Sequence, residues 1–88
     1  MRIAVEQRDI QGSVRCSSGR CPVARAILRQ VECMNVSVSP HVAHIQTEFG
    51  QWFRCPFTKS VQKRIEAYDE RKPMKPFSFP LVMNPVTV

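Results

Sequence analysis

Cys21-Pro22 fixes a helix start, and the rest of the chain has to be arranged around it. Proline is favoured at the first position of a helix because the N–H it lacks would have been unpaired there. Ser18 or Cys21 is the expected cap. Beyond Pro22, Val23, Ala26, Ile27 and Val31 recur at helical spacing, with Leu28 and Met34 beside them. Arg25, Arg29 and Glu32 fall on the opposite side, at i, i+4 and i+7. The pattern predicts an amphipathic helix that ends near Cys33 to Asn35. One apolar stripe needs a surface to cover it.

The flanking segments supply that surface. Ile3 and Val5 alternate with Arg2, Ala4 and Glu6, which predicts a short strand over residues 2–6. Glu6 to Ile10 suits a single helical turn that ends near Gly12. Residues 11–20 are small, polar and turn-rich, and predict a loop whose basic residues are Arg15 and Arg20. Val36-Ser37-Val38 opens a β section, and Ser39-Pro40 turns it. Val42 to Glu48 predicts a second strand and Gln51 to Cys55 a third, joined across Phe49-Gly50. Alternation leaves two inward sets open for the third strand: Phe53 with Gln51 and Cys55, or Trp52 with Arg54. Core packing is the favoured reading of Trp52.

Thr58 is a suitable cap for a second helix, with Val61, Ile65 and Tyr68 as its buried face and Lys59, Lys63, Glu66 and Glu70 in water. Pro73 ends it. Phe77, Phe79, Leu81 and Met83 alternate with Ser78, Pro80 and Val82, a half-buried strand. Pro80 cannot donate to a ladder, so this strand belongs at an edge. The tail from Asn84 is expected to be loose. The order β-α-β-β-β-α-β predicts an α+β fold, a small and mostly antiparallel sheet with two amphipathic helices on one face. At 88 residues, the chain is one domain's worth, 1–88.

Charge narrows the partners. Thirteen Lys and Arg against seven Asp and Glu give a formal net charge of +6, which favours acidic partners and excludes a mimic of DNA. No apolar run approaches the ~20 residues of a membrane span. Met1-Arg2-Ile3-Ala4-Val5 runs straight into Glu6, Arg8 and Asp9 without the apolar core of a signal peptide. A cytoplasmic location and reduced thiols at Cys16, Cys21, Cys33 and Cys55 are expected.

Three chemistries have candidate residues. Zinc would draw on the four cysteines with His41 and His44, but only Cys16 and Cys21 have a knuckle-like spacing, so no metal and no cofactor is expected. Cys21 lies at a helix N-terminus beside Arg20, both of which favour a thiolate, yet no base is placed by the sequence to activate it. The acidic residues show no acid–base pair, and a binding role is expected in place of an enzymatic one. Arg15, Arg20, Arg25 and Arg29 can form one basic surface where the helix begins. Ser17-Ser18-Gly19-Arg20 lacks the P-loop pattern. Trp52 and Phe49 would add stacking near a hairpin tip if a nucleic acid were the partner.

Cys21-Pro22-Val23-Ala24-x-Ala26-Ile27 and the closing Ile65-x-x-Tyr68-Asp69-x₃-Pro73-x-x-Pro76-Phe77-Ser78-Phe79 resemble small proteins encoded by phages and prophages. The shared motifs are a helix start, a helix face and a last strand, and no catalytic residue carries over. The chain departs from that pattern in lacking a glycine between Asp69 and Pro73, where Glu70-Arg71-Lys72 stands, so the turn is expected to differ. The resemblance implies an accessory protein made during infection that blocks a host defence complex, as anti-CRISPR proteins do. The expected partner is then a host protein or nucleoprotein complex in the bacterial cytoplasm, met on an acidic face by Arg15, Arg20, Arg25 and Arg29. Direct nucleic-acid binding is the first alternative, and a zinc-stabilised or thiol-active protein the second.

Overall fold

The computed structural model describes residues 1–87. Its elements run β1 (Arg2–Val5), α1 (Gln7–Gln11), α2 (Pro22–Gln30), β2 (Asn35–Val38), β3 (Val42–Gln46), β4 (Trp52–Pro56), α3 (Lys59–Asp69), β5 (Phe77–Pro80) and β6 (Asn84–Pro85). The class is α+β, and every strand pairing is antiparallel. The strands divide between a β1-β5 ribbon and a four-stranded sheet in the order β2-β3-β4-β6. Both sheets feed one buried cluster. The ribbon gives Ile3, Val5 and Phe79, the larger sheet Val38, Ala43, Ile45 and Cys55, and the helices Val23, Ile27, Val61 and Ile65.

Cys21 caps α2, its Sγ accepting from the Ala24 N–H at 3.4 Å, with Pro22 in the first turn. The helix stops at Gln30, three residues or more before the expected end. Val31 already has extended backbone, and by Met34 the chain has joined the sheet through an N–H to Gln46 O at 2.7 Å. Gln30 ties the end of the helix to β1. Its amide donates to Ala4 O at 2.7 Å and to Ala26 O at 3.0 Å, and its Oε1 accepts from the Ala4 N–H at 3.0 Å. The side chain thereby pairs with the free edge of β1 as a strand would, and covers that edge.

Pro80 lies on the ribbon, as an edge position requires. Leu81 donates to Met1 O at 2.8 Å, so residues 1 and 81 form a hydrogen-bonded pair. Pro80, opposite Arg2, falls on the neighbouring non-bonded pair, where β1 needs no donor from it. In β4 the open choice resolves to Phe53 and Cys55 inward, because Cys55 lies opposite the buried Ala43. Trp52 is consequently turned outward and is 38% exposed, which corrects the expectation that it packs in the core. The segment from Asn84 is also corrected. Asn84 and Pro85 pair with Arg54 and Phe53, and the Val86 N–H donates to Trp52 O at 2.9 Å. Val88 lies outside the described residues.

Cys16 (φ 56), Gly50 and Arg71 have left-handed backbone among the described residues, and the last two close turns between elements. Gly50 (φ 86) closes the β3–β4 hairpin and donates to Thr47 O at 3.0 Å. Arg71 (φ 70) stands where a glycine would be easiest, just past α3. Arg71 N–H reaches Tyr68 O at 3.0 Å and Lys72 N–H reaches Ala67 O at 2.9 Å, the paired bonds of a Schellman close. The tight turn thus forms without the glycine.

Candidate interaction surface

Three of the four arginines singled out in the sequence are spent on the fold. Arg29 grips Asp9, with Nε on Oδ1 at 3.1 Å and Nη2 on Oδ2 at 2.8 Å. The same Nη2 donates to Ala4 O at 3.0 Å and lies 3.6 Å from Glu6. Arg25 Nε donates to Asp9 O at 3.0 Å and its Nη2 to Arg8 O at 3.4 Å. Those carbonyls belong to the last turn of α1, where no intrahelical donor serves them. Gly12 makes room for this, since a Cβ there would come within 2.4 Å of Arg25 Nη2. Arg15 stacks 4.6 Å over the Tyr68 ring and donates to Tyr68 O at 3.0 Å. Arg20 is exposed, and its side chain has no hydrogen bond or ion pair among the described residues.

Asp9 is the one buried charged side chain among the described residues. Burial opposes its charge most strongly, but the Arg29 hydrogen bonds, the Glu6 N–H and the charges of Arg29 and Arg8 together outweigh it. The carboxyl titrates below its ordinary value. Asp9 Oδ2 also accepts from the Glu6 N–H at 2.8 Å, as the far half of the capping box that starts α1.

The thiols are scattered. Cys16 is exposed, Cys33 is half-buried, and Cys21 and Cys55 are buried. Burial pushes the Cys21 thiol up despite the N–H groups of Ala24 and Val23, so the helix start does not make it a thiolate. Burial likewise raises Cys33, and raises Cys55 to about 11. His41 Nδ1 pairs with Gln62 Oε1 at 3.0 Å, while His44 lies on the opposite side of the sheet from the buried Ala43 and Ile45. Among the described residues no three His, Cys, Asp or Glu side chains gather as metal ligands.

A second basic region had no motif to announce it. Segment 59–75 carries six cations against three acids, half of the chain's net charge of +6. Asp69 Oδ1 accepts from the Cys16 N–H at 3.0 Å, and Glu70 lies 3.6 Å from Lys72. Lys59, Lys63, Arg64, Arg71 and Lys75 are exposed and have no ion-pair partner among the described residues. Lys63, Arg64 and Lys75 converge on a cavity of about 310 Å³ whose other walls are Ala67, Pro73 and Met74. Arg64 is held there by stacking 4.6 Å over the Phe77 ring. A windowed charge count over residues 59–75 is the sequence signal that would have found this region.

The β3-β4 hairpin carries two exposed aromatic side chains. Phe49 at the hairpin tip is 96% exposed. Trp52 and Arg54 lie on the solvent face of the four-stranded sheet, opposite Gln46 and His44. No helix among the described residues is long and apolar enough to cross a membrane.

No family model matches the chain, and no curated protein or solved structure matches it.

Proposed function

We propose that this chain is an interaction protein without catalytic chemistry of its own, which docks on an acidic face of a larger protein or nucleoprotein complex. The observation that carries this reading is that five of the eight Lys and Arg side chains without an ion pair or hydrogen bond among the described residues lie on α3 and the segment after it, while the arginines of α2 are occupied within the fold. The docking face is therefore drawn around Lys59, Lys63, Arg64, Arg71 and Lys75, while Arg2, Arg20 and Arg54 are outlying exposed arginines without a partner among the described residues. Clustered unpaired charge of one sign raises encounter rates with an oppositely charged surface and selects against like-charged ones. The resemblance of the Cys21-Pro22-Val23-Ala24 and Pro76-Phe77-Ser78-Phe79 motifs to phage-encoded proteins supports a narrower form: an accessory protein that inhibits a host defence complex in the bacterial cytoplasm, in the manner of anti-CRISPR proteins.

The test is affinity capture from a bacterial lysate, comparing the native chain with K63E/R64E/K75E and with R15E/R25E/R29E that has been checked for folding. The first variant is expected to lose the acidic partners of the native chain. Retention of those partners would overturn the placement of the face. For the narrower form, expression in a CRISPR-immune strain is expected to restore plaques of the targeted phage, and unchanged immunity would overturn it.

A second reading, binding to single-stranded nucleic acid, is favoured by one arrangement: Trp52 and Arg54 on an uncovered sheet face, near the exposed Phe49. Aromatic side chains on an open sheet provide stacking platforms for bases. This reading requires affinity that falls steeply with salt and that is lost in W52A.

A further inference from the structure

We infer that the cleft between α3 and the segment 73–75 is a peptide-binding groove, which takes an aliphatic side chain flanked by carboxylates. This rests on the reading of an acidic partner given above and names the chemistry that partner presents. Its volume of about 310 Å³ has room for a single large aliphatic side chain. Its walls divide by kind. Ala67, Pro73 and Met74 are apolar, while Lys63, Arg64 and Lys75 stand around them, and no acidic side chain lines it among the described residues.

The groove is held in place before any ligand arrives. The Schellman close at Arg71 reverses the chain at the end of α3, and Pro73 and Pro76 stiffen the return. Met74 is partly buried and packs against the core, which pins the middle of the segment. Arg64 sits over the Phe77 ring, so less of its freedom remains to be lost when its fork meets a carboxylate. A preformed site of this kind loses little on ordering, which favours affinity.

The same geometry favours a peptide over a nucleic acid. Stacking a base needs an open aromatic face. The three apolar walls carry no aromatic ring, and the Phe77 ring that supports Arg64 has the guanidinium over it. Lone phosphate would be served by the cations but would leave the apolar walls uncovered.

The test is a ¹⁵N-HSQC titration of the full chain with Asp-Glu-Leu-Asp-Glu, its Leu→Ala analogue, a dT₅ oligonucleotide and inorganic phosphate. The leucine peptide is expected to move the amides of Lys63, Ala67, Met74 and Lys75 foremost. The alanine peptide is expected to bind about tenfold more weakly, because the apolar area it buries is smaller. K63Q/K75Q, which removes charge at two exposed positions, should weaken both peptides and leave the rest of the spectrum in place. Equal affinity for the two peptides, shifts centred outside the groove, or dT₅ or phosphate binding there as tightly as the leucine peptide would each overturn the groove. Charge-dependent peptide binding elsewhere on the surface would do so while leaving the acidic-partner reading standing. If neither peptide binds anywhere, both fall.

Discussion

Arg29 holds both carboxylate oxygens of Asp9, a two-point bridge between side chains twenty positions apart that ties α1 to α2. Asp9 is only 3% exposed, so its charge depends on that guanidinium. D9N keeps the shape and removes the charge. It should lower stability by about 1.5–3 kcal/mol, the range of a hydrogen bond to a charged group, as read by urea unfolding at neutral pH.

The same bridge sets a pH dependence. The Asp9 carboxyl titrates below its ordinary 3.8 in the folded chain. Its contribution is therefore complete above that value and is lost as pH falls through the lower folded value. The Tm of the native chain should drop more steeply between pH 4 and pH 2 than that of D9N. Parallel curves would remove Asp9 from the acid response.

Gly12 lies against the Arg25 guanidinium. A methyl group there would strike the guanidinium that serves Arg8 O and Asp9 O. G12A should cost roughly 1 kcal/mol through those hydrogen bonds. In an R25M background the same change should cost almost nothing, and a double-mutant cycle measures the difference.

Arg71 bears a side chain in left-handed backbone, which disfavours any residue with a Cβ. R71G should raise stability by roughly 1 kcal/mol, since the two bonds of the turn come from backbone and survive the change. Thermal unfolding of the two proteins side by side checks this.

The four thiols should react in an order set by exposure. Cys16 should titrate with Ellman's reagent at once and Cys33 more slowly, while Cys21 and Cys55 should wait for denaturant. Burial raises Cys55 to about 11, so accessible thiolate is scarce there at neutral pH. Four equally fast thiols would contradict the burial.

The elements that punctuation and periodicity announce were legible in the sequence. Pro22, Thr58 and the Val61-Ile65-Tyr68 stripe placed the helix starts and the buried face of α3, because capping and burial act over a few residues. The end of α2 was not legible. Gln30 pairs with Ala4, a partner twenty-six positions away, and no local pattern records that. Size argues for burial of Trp52, but alternation on β4 is fixed by Cys55 meeting Ala43 on β3. The basic surface expected near Cys21 rests on Arg25 and Arg29, whose spacing on a helix is plain, and on Arg15 and Arg20 in the loop before it. Their acceptors, Asp9, the α1 carbonyls and Tyr68, come from other elements, and so their occupation shows only in three dimensions.

The β1-β5 ribbon joins the first strand to the fifth, with Val5 opposite Phe77. During synthesis, β1 emerges long before its partner exists. Until β5 follows, Ile3 and Val5 have no ribbon to complete and must be shielded by the core elements made before it, α2 first among them. Closing so long a loop comes at a high entropic cost before its contacts repay it, so this pairing should be among the last events of folding. A nascent chain halted before Phe77 carries an unmatched strand, and its choice of partner then lies outside the molecule.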